Sequence, residues 1–213
     1  MKSSNYKVLQ NHYENCLKTH GATHKGIDWP NEQDLFRRYQ VMLDITRFSE
    51  ADNIDILDLG CGYGGLYEYM TTHWNERPKE FRYKGIDISG DMISAAKTAN
   101  PDIDFEQRDV LTDPLANNRH GFVIMNGLFT EKQSMSFDEM FEFTKAMLKI
   151  AYDTCINGIA FNVMSKNVDW EREDLFHLSI DSLAKFLSEH LTRDFVIRSD
   201  YKLYEYTCYA IKK

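Results

Sequence analysis

The 213-residue sequence predicts an α/β fold: a seven-stranded, mostly parallel sheet with helices on both faces, an antiparallel C-terminal hairpin and an N-terminal helical cap. Three observations predict it. Short β-type runs alternate with stretches of helical apolar spacing, a pattern that winds a parallel sheet right-handed and covers both its faces. The first of these runs passes directly into a glycine-rich loop, "GCGYGG". The last two runs are joined too tightly for a crossover, so they must pair antiparallel.

Each element has a local reason. "IDILDL" (54–59) is the first strand, and Leu66, Met70 and Trp74 give the helical spacing behind the loop. "FRYKGID" is the second strand and ends at Asp87. Ser89 caps the following helix, Asp91 favours its first turn, and Asn100–Pro101 stops it. Residues 103–108 and 121–126 read as strands three and four. Ser136 and Glu139 form a capping box before a long helix reaching about Cys155; Gly158 is expected to end it, ahead of a fifth strand "IAFNVM". Leu183, Phe186, Leu187 and Leu191 mark another helix, and "DFVIRSD" with "LYEYTCYAI" forms the hairpin, turning around Tyr201 and Lys202. Two helices, about 4–18 and 31–48, precede the alternation and define a cap over 1–50, with the main domain over 51–213.

Composition narrows the class. A 43% hydrophobic chain of this length buries a core without metals or disulfides, and four scattered cysteines with no CxxC pair suit reduced thiols. No apolar run approaches a membrane span, and the first residues lack a signal-peptide core. A net charge of −8 repels phosphate backbones. The expectation is a cytoplasmic protein with no nucleic-acid or membrane partner; oligomeric state is open.

The glycine loop satisfies two patterns. Gly60-x-Gly62-x-x-Gly65 fits a dinucleotide fingerprint, and Asp58-x-Gly60-x-Gly62-x-Gly64 fits another ligand. A dinucleotide sets its pyrophosphate on the helix N-terminus, where the negative charge of Asp58 would repel it. A ligand without phosphate and with positive charge reverses that logic. S-adenosylmethionine, which carries a sulfonium and an ammonium, is such a ligand. In sheets of this kind ligands sit beyond the carboxyl ends of the strands, where Asp87, Asp109 and Asn126 also fall.

From about residue 54 to 212 the sequence resembles the class I S-adenosylmethionine-dependent methyltransferases, which have a Rossmann-like sheet. "DLGCGYGG" is similar to the family's first motif, Asp87 to its ribose-binding position, "RDV" with Asp109 to its adenine position, and the final hairpin to its reversed strand. The resemblance implies that S-adenosyl-L-methionine is the cofactor, with Asp58 placing the loop and the methionine ammonium. Gly60, Gly62 and Gly64 would let the backbone approach it. Asp87 would accept from the ribose hydroxyls, Asp109 from the adenine amino group, and Ile88, Val110 and Met92 would flank the adenine. Asn126 and Gly127 would lend backbone to the methionine portion, and Arg38, from the cap, would bind its carboxylate, with Arg37 as competitor. Trp29 and Tyr39 are candidates for an aromatic lid.

The acceptor side is less legible. The segments 127–136 and 165–179, after strands four and five, are candidate pocket walls, the latter long for a structureless connection. His177 is the best-placed general base, should the acceptor be a hydroxyl. His20 and His24 have ligand-like spacing, but the intervening Gly21 spoils a helical pair, so no metal is expected. After strand four, "NGLF" lacks the prolines of base-modifying enzymes, which with the acidic charge favours a small-molecule acceptor, a sugar or natural-product intermediate, and O-methylation slightly over N- or C-methylation. The competing readings are a cofactor-binding module without catalysis, an NAD-dependent oxidoreductase and an aminopropyl transferase.

Overall fold

The computed structural model describes residues 5–49, 54–75, 78, 80–115 and 119–212. The boundary between cap and main domain expected at 50–51 lies outside them. Eight strands form one sheet: β1 Ile54–Leu59, β2 Phe81–Asp87, β3 Asp104–Gln107, β4 His120–Phe129, β5 Cys155–Ser165, β6 His177–Leu178, β7 Phe195–Arg198 and β8 Glu205–Ile211. Their order is β3-β2-β1-β4-β5-β8-β7, with β6 pairing the end of β5. All pairs are parallel except those of β8, which runs antiparallel between β5 and β7. Six α-helices accompany them: α1 Lys7–His20, α2 Glu32–Leu43, α3 Gly65–Thr72, α4 Gly90–Ala99, α5 Phe137–Thr154 and α6 Ile180–His190.

Strand periodicity sorts the core into two layers. Leu57, Leu59, Val123, Met125, Ile159 and Phe161 face α5 and α6, and Tyr6 and Leu9 near the start of the chain join that cluster. Ile54, Ile56, Phe122, Ile124 and Ala160 face the other side, against Leu35, Tyr39, Met42 and Leu43 of α2 and Leu66 and Met70 of α3. Thus α2 serves as one of the covering helices of the sheet. A smaller cluster joins α4 to β3 through Ile93, Ala96 and Phe105.

The capping chemistry is as the residues predict. Ser89 accepts from the Met92 N–H at 3.2 Å, and Ser136 and Glu139 satisfy each other's backbone. Three boundaries differ from the sequence reading. α5 runs straight into β5 at Cys155, so Gly158 lies inside the strand, where a Cβ would stand 2.8 Å from the Ala210 carbonyl oxygen. The hairpin turn spans residues 199–204, since Arg198 and Asp200 pair across its start. The two-residue β6, too short for a periodic signal, raises the strand count from seven to eight.

Candidate active site

A cleft opens at the carboxyl ends of β1, β2 and β4, roofed by α1. Asp58, Gly60, Gly62, Asp87, Ile88, Met92, Asp109, Val110, Asn126 and Gly127 all line it. Segments far apart in sequence meet there because each follows a parallel strand that ends at the same edge.

Asp58 is 2% exposed and accepts the Tyr83 hydroxyl at 2.7 Å. Burial pushes its carboxyl up to about 7; the Tyr83 bond opposes the shift and nearby Asp87 adds to it. A cation placed beside it would restore ordinary acidity. Asp87 accepts the Gly62 N–H at 2.9 Å on one oxygen and the Ser89 N–H at 2.8 Å on the other, tying the glycine loop to the next helix. Burial raises its carboxyl too. A carboxylate has about four acceptor positions, so Asp87, which lines the cleft, keeps capacity for a ligand's hydroxyls.

Asn126 sits at a bulge, where the β4–β5 register shifts between Met125 and Phe129. Among the described residues its Oδ1 is a buried acceptor with no donor. An unpaired buried acceptor costs about 1–3 kcal/mol, so it calls for a donor from a ligand. With Asp58 in the same lining, ready to ionise beside a cation, the cleft suits the ammonium of S-adenosylmethionine. The apolar Ile88, Met92 and Val110 suit a flat base.

Other residues are placed differently from the sequence reading. Gly64 is not in the cleft: it takes φ +87° at the start of α3, and a Cβ there would lie 2.8 Å from Phe105, so it makes room for core packing. The Gly127 backbone is committed to protein partners, its N–H to Asn162 Oδ1 at 2.7 Å and its carbonyl to Thr130 and Tyr13. Asp109 accepts the Tyr6 hydroxyl at 2.7 Å, a contact across to the roof. Arg38 does not reach the cleft. Its Nε donates to Glu205 at 2.9 Å, and its guanidinium stacks 3.7 Å over the Trp29 ring.

A second cavity of about 390 Å³ adjoins the first, lined by Trp29, Arg38, Glu131, Trp170, Arg172, His177 and Tyr204 among others. That volume lies within the range of small-molecule sites, roughly 300–1,000 Å³. Trp29 lines both spaces and is their shared wall. It comes so close to Gly127 that a Cβ there would stand 3.2 Å from the indole, which explains a glycine at φ +79°.

His177 borders this cavity but has no free nitrogen. Its Nδ1 donates to the Ser165 carbonyl at 2.7 Å, and its Nε2 accepts the Arg172 N–H at 3.2 Å. The lone pair a general base needs is already used, so the imidazole fastens β6 and its approach to β5. Glu131 is the group that sequence reasoning missed. It is 7% exposed, accepts from Gln133 at 2.8 Å, and is pushed up to about 7 by burial and then by Asp28. Its only sequence signal is a place in the segment after strand four. Tyr6, the N-cap of α1, and the α1 residues Gln10 and Tyr13 were also missed, because only tertiary packing lays that helix across the cleft.

Comparison with known proteins fits this geometry. Residues 56–150 match the model of a methyltransferase domain family. A protein of Mycobacterium tuberculosis (strain ATCC 25618 / H37Rv) named as a methyltransferase is 27% identical over 162 residues, covering 74% of this chain and 92% of its own. Among solved structures, a magnesium protoporphyrin IX methyltransferase of Synechocystis with bound S-adenosylmethionine has a TM-score of 0.64 at 14% identity, covering 100% of both chains. A plantazolicin methyltransferase in complex with S-adenosylhomocysteine has a TM-score of 0.60 at 14% identity, covering 99% of this chain and 91% of that one. The ambiguity of the glycine loop is thereby resolved in favour of S-adenosylmethionine over a dinucleotide, and the chain is a class I S-adenosylmethionine-dependent methyltransferase.

Proposed function

We propose that the protein methylates an oxygen of a small-molecule acceptor held in the second cavity, with S-adenosylmethionine in the first cleft. The observation that carries this reading is Trp29, a single wall common to both spaces, with the sequestered Glu131 on the acceptor side. S-adenosylmethionine, when bound, supplies an electrophilic methyl group.

The cleft residues divide the binding among them. Asp87 accepts from the ribose hydroxyls, and Asp109 from the adenine amino group. Asp58 and Asn126 Oδ1 hold the ammonium, while Gly60 and Gly62 permit close backbone approach. With Arg38 turned to the second cavity, the carboxylate falls to Gln10 of the roof, whose side-chain amide keeps a second hydrogen beside the one given to Glu14. Alignment and proximity contribute most of the rate in such a transfer. A hydroxyl acceptor must also lose a proton, and Glu131 takes it at a carboxylate oxygen; an acid near neutrality suits that work. The largely apolar rim, including the exposed Trp170 and Tyr204, suits a planar or hydrophobic body.

A carboxylate acceptor is the second reading, favoured by Arg38, Arg172 and Lys202 in the same lining. It needs no base. The test is to supply methyl-labelled S-adenosylmethionine with a panel of hydroxy and carboxy compounds and with fractionated cell extract. Alkali-stable label in a small molecule is the expected product, and alkali-labile label indicates an ester. Label confined to macromolecules or to nitrogen would overturn the proposal.

A further inference from the structure

Beside the second cavity, whose lining includes Asp28, three metal-ligating side chains converge. His12 and Cys16 stand four residues apart on α1, hence on one helix face. Asp28 meets them at the end of the short 3₁₀ turn His24–Ile27, on a backbone at φ 59°. His12 Nε2 lies 2.8 Å from Asp28 Oδ2 and 3.8 Å from Cys16 Sγ. All three ligand atoms lie within 4.8 Å of one another.

Those separations are close to what an ion requires. Zinc bonds of about 2.0–2.2 Å to nitrogen and oxygen and about 2.3 Å to sulfur, at tetrahedral angles, set N···O near 3.4 Å and N···S near 3.6 Å. To reach that geometry His12 Nε2 would open from Asp28 by about 0.6 Å and close on Cys16 by about 0.2 Å, with Cys16 Sγ drawing toward Asp28 from within 4.8 Å. One ring nitrogen faces both other ligands, yet it can donate only one hydrogen; a shared ion satisfies all three. The surrounding charge favours a cation, since Asp28, Glu131 and Asp174 all act on His12, with Arg172 opposing from the rim.

We propose that His12, Cys16 and Asp28 form a site for a borderline divalent cation of the zinc class, completed by water. A thiolate in the set selects zinc or cobalt over magnesium or calcium. A bound ion would fasten α1, the roof of the cleft, to the segment leading into Trp29. The sequence reading looked for a metal at His20 and His24 and expected none; the helical pair lies one turn pair earlier, with a thiol as its second member.

Metal-free full-length protein titrated with Co²⁺ tests the site. One equivalent should produce a thiolate-to-cobalt band in the near ultraviolet and the intense visible bands of four-coordinate cobalt, both displaced by Zn²⁺. Cys16→Ser should abolish the ultraviolet band. Asp28→Asn should keep that band and weaken cobalt binding at least tenfold. His20→Ala should change neither. Each variant should retain the rise in melting temperature with S-adenosylhomocysteine, which certifies its fold and keeps the cofactor reading separate. A titration without a saturable band, or a band that survives Cys16→Ser, would overturn the site.

Discussion

Arg38 Nε donates to Glu205 Oε2 at 2.9 Å, pinning α2 to β8 through an ion pair closed to solvent on both sides. The pair continues as a buried chain: Asn162 Nδ2 donates to Glu205 at 3.0 Å, and Asn162 Oδ1 accepts the Gly127 N–H. A side chain of α2 therefore supports the β4 bulge that carries Asn126 into the cleft.

Removing one partner should be costly. Arg38→Met leaves Glu205 buried and uncompensated, a loss of about 3–5 kcal/mol. Burial already raises the Glu205 carboxyl and Arg38 opposes that shift. Without Arg38 the native state holds a proton that the unfolded state releases, so the loss should grow as pH rises. Adding Glu205→Gln, which keeps an acceptor for Asn162, should recover part of it. Urea denaturation at two pH values measures this. A stable Arg38→Met with weakened cofactor binding would instead return Arg38 to the methionine carboxylate.

Asp87→Ala should raise the dissociation constant for S-adenosylhomocysteine at least tenfold by calorimetry. Charge-assisted hydrogen bonds are worth about 1.5–3 kcal/mol each, and two ribose hydroxyls would lose theirs.

Asp58 gives the protein two opposed pH dependences. Its folded pKa, about 7, lies above the unfolded value, so the ligand-free protein should lose stability as pH rises from about 4 to 7. Binding of the cofactor ammonium needs the ionised carboxylate, so affinity should improve over the upper part of that window. Asp58→Asn should remove the Asp58 share of both slopes, while Asp87, Glu131 and Glu205, whose carboxyls burial also raises, keep theirs in the stability slope. Thermal shifts with and without S-adenosylhomocysteine from pH 5 to 7.5 separate the two.

Glu131→Gln should reduce kcat on a hydroxyl acceptor by about a hundredfold, remove the rise of rate with pH near 7, and leave cofactor affinity unchanged. His177→Ala should instead lower the melting temperature, because the tie between β6 and β5 is lost. Steady-state kinetics beside calorimetry distinguishes a base from a structural residue.

Since α1 lines the cleft through Gln10 and Tyr13, and through Tyr6 at its N-cap, its amides should exchange more slowly when S-adenosylhomocysteine binds. Exchange in Lys7–His20 that ignores the ligand would show that the helix is no roof.

The sheet was legible because its signals are local. Ile54–Leu59 and Phe81–Asp87 are framed by glycine and acidic residues, and Ser89 and Ser136 announce their helices. The shared cleft was legible in Asp58, Asp87 and Asp109 because each ends or follows a strand, and parallel strands end together. Distant side-chain pairing was not legible. Nothing near Arg38 points to Glu205, 167 positions away, and nothing near His177 shows that a loop carbonyl and a backbone amide use both its nitrogens. Gly64 fits the motif by spacing, but its neighbour Phe105 arrives from another strand.

Trp29 lines both cavities at once, and if each holds its proposed ligand, linkage imposes symmetry on them. If the cofactor shifts the indole so that acceptor binds more tightly by some factor, the acceptor must tighten cofactor binding by the same factor. Replacing the indole with a small side chain should drive that factor toward one without erasing either site. On that reading the partition between the two cavities would also be the element through which occupancy of one is communicated to the other.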